Sequence, residues 1–187
     1  MAAIDAANAV DPHRVMVDGV ERPKELAHAD VAERWVRRLD PMADEAQLLA
    51  ARAHHLRRWV SPRADYPEGR AGYLRWRADQ KRRQATEVNE ILLAAGYDAT
   101  MGERVAALVA KRGLGHDPQV QTHEDALCLT FLQFQFTELA DRLGDDHTVE
   151  VLAKTISKMS PASLAATADL TLTDHQQGLL AVALTTG

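Results

Sequence analysis

Few side chains can hold a metal ion or move a proton near neutral pH, and in this 187-residue chain several of them fall where burial is expected. Glu25 and His28 lie three residues apart, His54 and His55 are adjacent, and Glu124 and Asp125 open an apolar run, EDALCLTFLQFQFTEL. Imidazoles and carboxylates on apolar faces must pair with one another or bind an ion, because an isolated buried charge is too costly. Close to the histidine pair runs a basic stretch. From Arg57 to Arg83, eight Arg and one Lys stand against Asp65, Glu68 and Asp79, a balance of +6 within a chain of net charge -5. The remainder therefore carries -11. Trp59, Tyr66, Tyr73 and Trp76 are interleaved with these arginines. Guanidinium forks chelate oxyanions and aromatic rings stack on bases, so this composition suits phosphate, carboxylate or nucleotide recognition.

The elements that must position these residues are helices. Ala-, Leu-, Glu- and Arg-rich segments repeat with a period near 3.6 between short Pro/Gly breaks, and the only candidate for strand is a small hairpin turning at Asp18-Gly19. An all-α single domain over residues 1–187 is expected, with about six to eight helices: 2–10, 23–39, 43–60, 73–95, 100–112, 122–143, 147–159 and 173–184. On 23–39, helical phase places His28 at the centre of the apolar stripe and Glu25 on its edge, while Asp30 and Glu33 point away. On 43–60 it places Arg52 inside, His55 on the flank and His54 nearly opposite. On 73–95, Tyr73, Arg77, Gln80 and Gln84 make the first half of the inner face polar. Each has a plainer reading. His28 can be a hydrogen-bonded core residue, Arg52 can extend past a buried stem to water, and Glu124 and Asp125 can cap a first helical turn.

Composition narrows the classes. The negative net charge argues against a general polyanion binder, and 46% apolar residues suffice for a real core. A lone Cys128 excludes a disulfide framework or a cysteine zinc site and fits a reducing, cytoplasmic setting; in a buried helix it reads as a packing residue. No signal-like N-terminus and no membrane-length apolar run is present, so no membrane partner is expected. Walker, GxGxxG, HExxH, GxSxG and CxxC motifs are all missing.

The phrases AHHLRRWVSPRADYPEGRAGYLRWR, GYDATMGERVAALVAKRGLGHDPQVQTHEDALCLTFLQFQF and LAKTISKMS resemble a bacterial and fungal family catalogued as a domain of unknown function, over roughly Ala3 to Met159. Some fungal members carry a glutamyl-tRNA synthetase label, which this chain cannot support without a parallel sheet or nucleotide motif. A looser similarity is to the HD-domain superfamily of helical metal-dependent phosphohydrolases and to related di-iron oxygenases. That resemblance implies His28, His55 and Asp125 as ligands of a divalent transition metal (Mn, Fe, Zn or Ni), although Leu56 stands where the Asp of an HD pair is expected. Glu124 or Glu25 would be general base, and Arg52, Arg58, Arg63, Arg70, Tyr73, Arg77 and Gln84 would bind a small anionic ligand such as a phosphoester or nucleotide. The rival expectations are a non-catalytic module binding RNA or an acidic partner, and an oxygenase on the same scaffold.

Overall fold

The computed structural model describes residues 1–17 and 19–186. It is all-α apart from one ribbon. The helices are α1 (Ala2–Ala9), α2 (Lys24–Leu39), α3 (Glu45–Arg52), α4 (Gly69–Ala94), α5 (Ala99–Val109), α6 (Pro118–Leu143), α7 (Asp145–Ile156), α8 (Pro161–Ala166) and α9 (Asp174–Thr186). Strands β1 (Arg14–Val17) and β2 (Val20–Pro23) pair antiparallel, Arg14 opposite Pro23 and Val17 opposite Val20. The expected turn lies between them, with Gly19 at a φ of 77° that suits a residue without Cβ; Asp18 lies outside the described residues.

Helix starts follow their capping chemistry. Asp44 and Gln47 form a reciprocal capping box for α3, and the Asp98 carboxylate accepts the Met101 N–H to open α5 one residue before the expected start at Thr100. Asp117 accepts from the N–H groups of Gln119 and Val120, with Pro118 in the first turn. This starts α6 four residues before the expected Thr122. Glu124 and Asp125 thus lie beyond the first turn, and the capping role considered for them is taken by Asp117. Similarly, α4 begins at Gly69 rather than Tyr73, and α8 was not anticipated.

Three apolar clusters hold these pieces together. Ile4, Leu49, Leu56, Val88, Leu92, Val105 and Leu108 join α1, α3, α4 and α5. Val31, Trp35, Val36, Leu48 and Leu129 join α2, α3 and α6. Leu132, Phe136, Leu152, Leu179 and Leu180 join α6, α7 and α9. Helix α6 takes part in all three through Val120, Leu129 and Leu132, as its nearly uniform apolar surface predicts. Among the described residues no helix is long and apolar enough to cross a membrane.

Candidate metal centre and anion cavity

The site depends on where α3 ends. The sequence pattern continues to Val60, but the helix stops at Arg52, and His54 and His55 lie on an irregular turn. His55 and Arg57 both adopt left-handed backbone, with φ of 59° and 46°, a conformation costing about 1 kcal/mol or more per non-Gly residue. Side chains from other helices hold it there. The Asn8 Oδ1 of α1 accepts the Arg57 N–H at 3.0 Å. From α4, Gln80 Nε2 donates to the carbonyls of Arg58 and Ser61, Arg83 donates to those of Leu56 and Arg57, and Trp76 Nε1 donates to that of Ser61. Gln80 on the polar inner face of α4 is thereby explained: with Trp76 and Arg83 it satisfies backbone between α3 and α4 that forms no α-helix. Gly72 lets the preceding loop close on α4, since a Cβ there would lie 1.8 Å from the Pro67 carbonyl oxygen.

This turn carries His55 to Glu25 and His28 on α2. One donor atom from each of Glu25, His28 and His55 lies within 4.8 Å of the others, a group able to hold a metal ion. Glu25 Oε2 is 3.3 Å from His55 Nδ1 and 3.6 Å from His28 Nδ1. All three side chains are buried or nearly so, and none of Glu25 Oε2, His55 Nδ1 and His28 Nε2 makes a hydrogen bond of good geometry; Glu25 Oε2 faces both imidazoles instead. Buried polar atoms so poorly satisfied are costly, and a cation among them would relieve that cost. Their protonation agrees. Burial and then Arg58 push the His55 ring down to about 4, so it is neutral at pH 7 and has a lone pair to offer. Burial opposes ionisation of Glu25, but the adjacent His55 and His28 hold its carboxyl well below the usual range.

His28 and His55 border one cavity of about 510 Å³, and Glu25 lies behind them, outside its lining. Its walls include His28, His54, His55, Arg58, Tyr73, Arg77, Lys111 and Glu124, together with Leu127, Cys128 and Phe131 of α6 and Val151, Lys154 and Lys158 of the α7 region. Arg58 stacks over Trp76 at 4.6 Å, and Arg77 lies over the Tyr73 ring at 5.8 Å. Lys111, also left-handed at φ 53°, forms an ion pair with Glu124. His54 stacks on His55 at 3.7 Å between ring centroids and meets His123 edge-on at 6.3 Å. Burial, then His55 and Lys111, hold the His54 ring well below its usual range, and burial and Lys111 bring His123 down to about 3. Burial also pushes the Cys128 thiol up to about 12, in keeping with a packing role.

Several expected site residues are elsewhere. Asp125 is outside the ligand group: its Oδ1 accepts from the Ser160 N–H and from Gln121 Nε2, each at 2.9 Å, fixing the segment before α8 to α6. Glu25, and not Asp125, is the carboxylate of the group able to hold a metal ion. Arg52 does not line the cavity; it pairs with Asp5, Asp30 and Glu33, so two acids assigned to an outward face meet a buried guanidinium. Arg63 donates to the carbonyls of Tyr66 and Gly69, Arg70 is exposed away from the cavity, and Gln84 is buried outside it. His54, assigned outward, borders the cavity because the helix carrying that assignment ends first. Arg58, Tyr73, Arg77 and Glu124 line the cavity. His123, Lys111, Lys154 and Lys158 were missed; a helix begun at Asp117-Pro118 would have placed His123 on the face of Val120 and Leu127.

No curated protein and no solved structure matches the chain. The family model described as a domain of unknown function, DUF4202, matches residues 1–180, which extends the similarity past Met159 through α8 and into α9. The chain belongs to that family.

Proposed function

We propose that this protein is a metal-dependent hydrolase of a small phosphoester or nucleotide. The observation that carries the proposal is a cavity bordered by His28, His55 and, among the described residues, the arginines Arg58 and Arg77 without a close carboxylate, with Glu25 beside both histidines to complete a group able to hold a metal ion. Two imidazoles and one carboxylate suit Zn, Mn, Fe or Ni. Glu25, His28 and His55 would hold such an ion, which would supply a water acidified toward neutral pH. Arg58 and Arg77 orient the phosphoryl oxygens and oppose charge that builds on them in the transition state. The water oxygen bonds to phosphorus, the ester P–O bond breaks with its electron pair on the leaving oxygen, and that oxygen takes up a proton. His54, neutral and facing the cavity, receives the proton lost by water and returns it to the leaving group. Glu124, considered as a base from sequence, is held by Lys111, so its role is to fix that lysine.

The same ligand types serve non-haem iron oxygenases, and this favours a second reading in which the bound metal is iron and the reaction consumes oxygen. The cationic wall favours the hydrolase. The test is elemental analysis of untagged protein with hydrolysis of p-nitrophenyl phosphate before and after chelation. About one metal per chain is expected, with turnover lost on chelation, restored by metal and abolished in Glu25→Gln. A chain that takes up far less than one equivalent from any of the four metals excludes both metalloenzyme readings. Tight RNA binding that weakens steeply with salt would then support the binding module.

A further inference from the structure

The cavity holds more positive charge than one phosphoryl group can neutralise. Arg58, Arg77, Lys111, Lys154 and Lys158 border it with Glu124 as the one carboxylate among the lining residues, and Glu124 is already paired with Lys111. Four cations remain. Elsewhere the fold pairs Arg52, Arg57, Arg83 and Arg104 closely with carboxylates, whereas here several cations gather on one cavity with a single acid among its walls. Among the described residues Arg58, Arg77 and Lys158 have no carboxylate within 4.0 Å, and Lys154 reaches only the exposed Glu150, at 3.9 Å. Arg58 is largely shielded by Trp76, and burial pushes its pKa down, so the free protein holds this charge at a cost that a bound anion would relieve.

The four cations come from two sides. Arg58 and Arg77 belong to the His55 turn and to α4, whereas Lys154 is on α7 and Lys158 follows its end. A phosphate group carries about -1.5 to -2 near neutral pH, so one would leave two of these cations unanswered, while two linked groups come close to balance. Building on the hydrolase reading, we propose that the substrate is a diphosphate-bearing small molecule. One phosphoryl group lies by the metal with Arg58 and Arg77, and the second against Lys154 and Lys158. The organic part rests on the apolar wall of Leu127, Phe131 and Val151.

The experiment measures calorimetric binding of inorganic pyrophosphate and orthophosphate to metal-stripped wild-type protein, to Lys154→Ala/Lys158→Ala, and to Arg75→Ala as an exposed basic control. In wild type and in the control, pyrophosphate is expected to bind at least about tenfold tighter than orthophosphate. The double lysine variant is expected to lose most of that preference, with orthophosphate affinity changed less than about threefold. Equal binding of the two probes, or equal weakening of both by the lysine changes, overturns the diphosphate assignment. So does a preference that depends on Arg75 and not on the two lysines. Because binding is read without metal, this outcome is separate from the elemental analysis and turnover that test the hydrolase itself.

Discussion

His123 should make the fold acid-sensitive by an amount the structure allows to be worked out. Its side chain is 1% exposed, neither ring nitrogen has a hydrogen-bond partner, and burial with the Lys111 charge lowers its pKa from 6.5 to about 3. The unfolded chain therefore takes up a proton that the folded chain refuses. Stability is full above about pH 6.5 and falls as pH descends from there toward about 3. At about 1.4 kcal/mol per pH unit the ceiling is about 5 kcal/mol, of which about 2 kcal/mol should already be lost by about pH 5. His55 and Glu25 act in the same direction, so the wild-type loss contains more than this one residue. A His123→Leu variant isolates it, since leucine has similar volume and no proton to gain. Urea unfolding followed by circular dichroism, at constant ionic strength and without metal, gives stability at about pH 7 and about pH 5. The variant should lose about 2 kcal/mol less than wild type across that interval. If both lose the same amount, His123 is either protonated in the fold or solvated, and its placement as a neutral buried ring is wrong.

Two substitutions separate support from chemistry. Arg52→Met leaves Asp5, Asp30 and Glu33 without their shared guanidinium; because these acids are partly exposed, the expected cost is about 2–3 kcal/mol, seen as a thermal midpoint lower by roughly 5–10 °C. Orthophosphate affinity should be unchanged, and a loss there would return Arg52 to the anion site. Gln80→Leu removes the Nε2 hydrogen bonds to the Arg58 and Ser61 carbonyls, leaving Trp76 on the latter, and loosens the turn bearing His55, so metal affinity should fall about tenfold in a competitive chelator titration.

What the sequence made legible depended on whether each helix was continuous. Glu25 and His28 were placed correctly because α2 runs unbroken from Lys24 to Leu39, and helical phase holds along it. His54 and Arg52 were read with the same geometry and came out differently for opposite reasons. For His54, phase was carried across a break that no Gly or Pro marks. The break is made by tertiary partners, since Asn8, Gln80 and Arg83 satisfy backbone groups that helix would otherwise satisfy. Arg52 was correctly placed inward, but its partners lie on α1 and α2, and a one-dimensional pattern cannot say which acids a buried arginine will meet. A clue to the break was in view. Polar residues at Trp76-Gln80 spacing on an inner face require something polar opposite, and irregular backbone is the commonest such object inside a protein.

The cations and the histidines of the cavity are also coupled, and the coupling gives the proposed reaction an order. Burial does most to hold His54 neutral, with the nearby positive groups adding to it, Lys111 and Arg58 among them. The His55 ring is kept neutral by burial and Arg58, which leaves its lone pair available to a metal. The charges suited to binding phosphate therefore also prepare the imidazoles for ligation and keep His54 a poor proton acceptor while the cavity is empty. A polyanion seated against Arg58 and the lysines cancels that repulsion and raises the affinity of His54 for a proton. On the reading proposed above, His54 thus becomes an effective base only once substrate is in place, and after phosphate leaves, the same cations again favour its release of the proton. Substituting Arg58 should consequently affect the pH dependence of turnover as well as the affinity for substrate, whereas a residue that only held the anion would change affinity alone.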